Sequence, residues 1–284
     1  MRVPSSRATT ETGVRRRAFI AASGAAAFGG TLAAAGRGEA AEQPAPPGRA
    51  PALLEMRSYH FRFGPMESRF AEYAKTALVP ALNRAGIKPV GAFTVLFGPD
   101  NPTVRLLLPH PGPESLLSLE GRLAGDAEYR RAATAFLGLP ATDPPYVRFD
   151  SSLMLPFERF PGIEAPAGPA AAPSRVFELR RYASPSEGGR AKKIEMFEAM
   201  GEIPIFRRLA MAPVFFGRDI AGTGLPSLTY MLVFADMAAR EKGWAAFRED
   251  PEWVKLRTTP GYANADIMSG IDVMLLRPTD YSQI

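Results

Sequence analysis

The sequence predicts an α+β fold made of two tandem βαββαβ units. Three observations point there: a self-match at an offset of about 124 residues, strand-like alternation at matching places, and two Pro/Ala-rich linkers. In that self-match Pro80 meets Pro204, Arg84 meets Arg208, Pro89 meets Pro213 and Val90 meets Val214. Gly98 meets Gly222, Pro102 meets Pro226, Leu108 meets Leu232, and Tyr129 meets Trp253. Ahead of the first helix the offset is 123, so Glu55, Arg57 and Tyr59 meet Glu178, Arg180 and Tyr182. Prolines and glycines in register mean that both halves turn at the same points.

Residues 1–41 read as a targeting segment. Arg16 and Arg17 precede Phe19, and an uncharged small-residue run follows to Ala35. A basic stretch, an apolar stretch and a small-residue cleavage site make a secretory signal, here of the twin-arginine (Tat) type. The expectation is a protein exported through the Tat machinery, periplasmic or otherwise extracytoplasmic, with no stable membrane span after cleavage. Residues 42–52 and 158–174 are the linkers; 53–157 and 175–284 are copy 1 and copy 2.

The targeting segment also explains the charge. The chain carries +5, but residues 1–41 hold six Arg and two Glu, a balance of +4, leaving +1 for the rest. That near-neutral remainder shows no basic stripe with interleaved aromatics, so no nucleic-acid partner is expected. The chain has no Cys, which excludes disulfides and thiolate chemistry. With 46% apolar residues it can bury a core instead.

In copy 1, Leu53–Phe61 alternates as a strand. Residues 66–86 place Phe70, Tyr73, Ala77, Leu78 and Leu82 on one helical face, with a kink expected at Pro80. Val90–Phe97 and Thr103–Leu108 read as strands around a Gly-Pro-Asp-Asn-Pro turn. A helix at 114–124 and a strand at Ser152–Phe157 complete the unit. Copy 2 repeats this with strands 176–182, 214–220, 227–234 and 271–277 and helices 190–209 and 237–248. Asp236 is placed to cap the last helix. Such a unit is ferredoxin-like, with one sheet face free of helices. Two of them packed sheet to sheet in one chain would make an intramolecular dimeric α/β barrel. The internal pair leaves a further homo-oligomer open.

Alternation also selects a candidate site. Leu54, Met56, Phe177 and Leu179 are expected to meet the helices. Glu55, Arg57, Tyr59, Glu178, Arg180 and Tyr182 then point between the sheets, lining a pocket for a polar or aromatic small ligand. The alternative is a pair of structural ion pairs with Tyr spacers, the more common role of buried charges. His60 and His110 end the first and third strands. With those strands taken as adjacent and parallel, the two His approach each other and, with Glu114, offer a weak metal site. Trp244, Phe247 and Trp253 have ordinary core spacing. No P-loop, GxGxxG, GxSxG or HExxH motif is present, and no cofactor is expected.

Residues 176–182 (VFELRRY), 203–206 (IPIF), 230–234 (YMLVF) and 244–253 (WAAFREDPEW) resemble the NIPSNAP family. Copy 1 is similar but departs where Glu120 replaces Trp244 and Asp126-Ala-Glu-Tyr129 replaces Asp250-Pro-Glu-Trp253. The resemblance implies a dimeric α/β barrel and exported members with Tat signals, and it maps no catalytic residues here. The functional expectation is a small-ligand-binding protein of undefined biochemical role. The alternatives are an enzyme like the cofactor-independent monooxygenases of related barrels, and a haem-binding barrel. The last needs an axial ligand such as His, and copy 2 has none.

Overall fold

The computed structural model describes residues 51–168 and 172–284, all within one compact unit. The expected targeting segment, with Arg16, Arg17 and Phe19, lies outside the described residues, as does most of the first linker.

Eight antiparallel strands close into one barrel. The first half supplies β1 (Leu53–His60), β2 (Gly91–Phe97), β3 (Thr103–His110) and β4 (Arg148–Pro156). The second supplies β5 (Val176–Ala183), β6 (Ala212–Ala221), β7 (Ser227–Phe234) and β8 (Gly270–Pro278). Around the barrel the order is β1-β3-β2-β8-β5-β7-β6-β4, so each half lays down its four strands in the same pattern. The halves join through two edge ladders, β2 with β8 and β4 with β6. The α+β class and the barrel are as expected, but the sheets meet edge to edge and share one closed wall.

Closure decides which strand face is buried where. An eight-stranded barrel is just wide enough for its interior to be filled by side chains. Leu54, Met56, Phe93, Leu107, Phe177, Leu179, Phe215 and Met231 fill it, drawn from both halves. The rings of Phe93 and Phe177 meet there, 4.8 Å between centroids. The sequence-based assignment of faces is therefore inverted. The apolar set points into the barrel, and Glu55, Arg57, Tyr59, Glu178, Arg180 and Tyr182 lie under the helices. Tyr59 belongs to the first half's helix-side core and Tyr182 to the second's.

The helices cover the outside. In the first half α1 (Met66–Tyr73) runs through a π-helical turn at Ala74–Leu78 into α2 (Val79–Arg84). Pro80 follows that π-helical turn inside a continuous helical run, so the expected disturbance takes the form of a widened turn at the residues just before it. Then come α3 (Pro113–Gly125) and α4 (Ala127–Leu137); the latter was not foreseen. In the second half the helix expected over 190–209 is two helices, α5 (Glu187–Glu198) and α6 (Glu202–Arg208). Gly201, at φ 98°, breaks them apart in a backbone region that favours glycine. The remaining helices are α7 (Met237–Glu249), α8 (Pro251–Arg257) and α9 (Asn264–Ile267). Asp236 caps α7 as expected, accepting from the Ala239 amide at 2.8 Å. Asp250 does the same for α8 through the amides of Glu252 and Trp253. Among the described residues no helix is long and apolar enough to cross a membrane.

Candidate functional site

Each half centres its helix-side polar cluster on one buried glutamate. In the first half Glu55 receives both forks of Arg57, at 2.8 and 3.0 Å. Ser151 donates to it at 2.8 Å, and His110 lies 3.1 Å away. Burial works to raise the Glu55 pKa, but the hydrogen bond with His110 and the charge of Arg57 prevail and hold it at about 2. Phe149 lies against Arg57, Phe70 packs on Tyr59, and Tyr73 and Phe136 pack on Phe70 and on each other.

The histidines do not meet. β1 and β3 are antiparallel, with His60 opposite Thr103 and His110 opposite Leu53. Seven ladder positions separate them, roughly 23 Å. The expected proximity assumed parallel strands; in a 4-1-3-2 sheet the first and third run opposite ways. His60 contacts Asp150 at 2.7 Å, and His110 contacts Ser115 at 3.2 Å. The metal-site idea with Glu114 fails on this geometry, and no metal-ligand cluster exists among the described residues.

The second half is built differently above the same strand. Glu178 is fully buried and accepts from three side chains. Arg180 Nη1 approaches at 2.6 Å, Arg240 Nε at 2.7 Å, and Trp244 Nε1 at 2.7 Å. The Arg180 guanidinium lies 4.4 Å over the Trp244 ring, a cation–π arrangement. Its Nε donates to the Tyr182 hydroxyl, which pairs with Tyr230 at 2.6 Å. Burial opposes the Arg180 charge, but Tyr230, Tyr182 and Glu178 together hold its pKa above the usual arginine range.

Beside this cluster opens a cavity of about 550 Å³. Tyr182, Trp244, Phe247 and Trp253 form aromatic walls, and Arg180, Arg240, Arg248 and Arg257 bring positive charge. Lys193 and Glu202 also line it, paired at 2.7 Å. Arg240 borders a second, apolar groove lined by Phe97, Met237, Val273 and Leu275 at the β2·β8 seam.

Of the six residues selected from sequence, only Arg180 and Tyr182 line this cavity, with Glu178 anchoring its wall. The pocket expected between the sheets is filled, and one half alone forms the open site. Trp244, read as core from its spacing, is half-buried and lines the cavity; Phe247 and Trp253 are both core and wall. Arg240, Lys193 and Glu202 had no motif to mark them. Arg240 sits four residues before Trp244 on α7, and that spacing was the one available sign that both reach one spot.

Residues 177–283 match the NIPSNAP family model. The C-terminal half carries a NIPSNAP domain match. It contains the whole of the open cavity's lining. No curated protein sequence matches the chain. Among solved structures, a candidate monooxygenase of Lactobacillus acidophilus NCFM is similar at TM-score 0.54. It is 8% identical, and the match covers 81% of this chain and 94% of that one. A candidate monooxygenase of Fusobacterium nucleatum aligns at TM-score 0.54 and 10% identity, over 81% and 93% of the two chains. These likenesses show the barrel fold. A NIPSNAP-like domain protein of Burkholderia xenovorans is 19% identical over 39% of this chain and 91% of its own, at TM-score 0.35.

Proposed function

We propose that this is an exported small-molecule-binding protein whose site is the cavity of its NIPSNAP domain, and that the ligand is a planar anion of aromatic size. The observation that carries this reading is a surplus of positive charge between aromatic walls. Arg180 and Arg240 share a single carboxylate, Glu178. Arg248 and Arg257 have no ion-pair partner among the described residues, against one unpaired lining carboxylate, Glu241. Trp244 and Trp253 offer flat apolar surface for stacking. A cavity of this size suits a small organic molecule. Neither histidine lines it, so a haem held there would lack a His ligand.

The chain's two tryptophans both line the cavity, which makes intrinsic fluorescence a reporter of this site. Titration with aromatic carboxylates should quench it saturably, and neutral isosteres should do so far more weakly. Added salt should weaken the effect, because Arg248 and Arg257 are exposed. Arg248→Ala with Arg257→Ala should raise Kd about tenfold, as charge-assisted contacts at an open rim allow. Equal quenching by anions and neutral analogues would refute the charge argument.

A further inference from the structure

We propose that Lys193 and Glu202 form a proton-transfer couple, catalysing enolisation of a carbonyl compound bound in the cavity. The inference rests on the site proposed above and adds a reaction to it.

Both side chains are about 1% exposed, yet both line the cavity. Lys193 Nζ donates to Glu202 Oε2 at 2.7 Å, while Glu202 Oε1 has no hydrogen-bond partner among the described residues. The ammonium is held among three rings: Phe197 at 4.6 Å, Trp253 at 5.2 Å and Tyr182 at 5.4 Å. Ring faces of this kind attract a cation.

The first half shows that the fold does not require this pair. By packing, Lys193 takes the place of Phe70, since each lies on the tyrosine of its half's first strand, and at the 124 offset Glu202 takes that of Leu78. Both are fully buried apolar residues, and Phe70 packs on Tyr59 as Lys193 lies over Tyr182. Burying two charges costs several kcal/mol per ion before their attraction is counted, so an apolar pair is the cheaper way to fill this position. The charged pair stands in the half with the open cavity. Burial also raises the Glu202 pKa, with the Lys193 charge working against it. A carboxylate shifted toward neutral pH is a better base for carbon acids.

The step balances without a co-reactant. Glu202 Oε1 removes a proton from the carbon beside a carbonyl; that C–H bond breaks and its electron pair becomes the C=C bond. The carbonyl π pair moves onto oxygen, where the Lys193 ammonium donates a hydrogen bond and then its proton. Rotation of the Glu202 carboxyl about its terminal bond brings its new proton, on Oε1, to the neutral amine, which takes it up. The pair is restored and the ketone has become its enol.

Phenylpyruvate is a suitable probe, being an aromatic carboxylate with acidic protons next to a ketone. NMR in D2O follows loss of its methylene protons while tryptophan quenching reports binding. The wild-type chain should speed exchange about 100-fold or more over buffer. Glu202→Gln should bind with similar quenching and lose that acceleration. Lys193→Met/Glu202→Leu, which copies the apolar chemistry of the first half, should fold at least as stably and also lose it. Quenching without faster exchange in the wild type, or undiminished exchange in Glu202→Gln, overturns the proposal. Absence of any quenching overturns the binding reading itself, and this proposal with it.

Discussion

The Arg180 guanidinium lies over Trp244, 4.4 Å from its ring centre, and both side chains hydrogen-bond the same carboxylate, Glu178. The cavity wall thus depends on one buried charge that the ligand need not touch. Glu178→Gln keeps the shape but leaves Arg180 and Arg240 without their counter-charge. Breaking a buried ion pair costs about 3–5 kcal/mol. Urea denaturation should show a loss of that order, with a shifted Trp emission in the folded state because the negative charge beside the Trp244 indole is gone. A variant within 1 kcal/mol of wild type would show that the wall is held by packing alone.

Glu55 should make the first half acid-sensitive. Its pKa falls from 4.5 in the unfolded reference to about 2 in the fold. A depressed carboxylate contributes stability that is fully present above the unfolded value and is lost as pH falls through the folded one. The contribution is on the order of 3 kcal/mol. The stability gap between wild type and Glu55→Gln should be constant above pH 4.5 and close progressively toward pH 2. A gap independent of pH across that window would contradict the assignment.

Gly201 sets the break between α5 and α6 at φ 98°, and an added Cβ there would meet nothing within 4 Å. Gly201→Ala should therefore cost only backbone strain, about 1–2 kcal/mol. The same variant should slow enolisation more than it weakens binding, because it disturbs how α6 presents Glu202 to Lys193. Equal losses in both would point to general loosening of the cavity.

Phe177 stands in the shared barrel interior, fully buried against Phe93 of the other half. Phe177→Ala should cost about 3–5 kcal/mol. Since the interior belongs to both halves, unfolding should remain a single transition at a lower denaturant midpoint. Two separate transitions would mean that the halves fold as independent bodies.

Much of the architecture was legible in the chain itself. Period-two alternation marked seven of the eight strands within two residues at each end. Only the start of β4 was missed by more, because Arg148-Phe-Asp-Ser lies exposed and shows no burial contrast. Asp236 announced its helix, since a short acceptor ahead of a helical run satisfies an otherwise unpaired amide. The Glu-Arg pairs at 55/57 and 178/180 were also visible, because residues two apart on a strand share a face.

Alternation separates the two faces of a strand but cannot say which one lies inside a barrel. Closure decided that: the eight-stranded interior is filled by large apolar side chains such as Phe93, Phe177, Phe215 and Met231. The Lys193–Glu202 pair was equally hidden. Nine residues along one unbroken helix would put the two on opposite faces, about 13.5 Å apart. Only the turn at Gly201 folds α6 back so that the charges meet. The sequence by itself determined the elements, the repeated pattern and the residues able to carry charge. The tertiary structure alone decided which charges share a cavity, because that depends on chain reversals and barrel closure that no local spacing encodes.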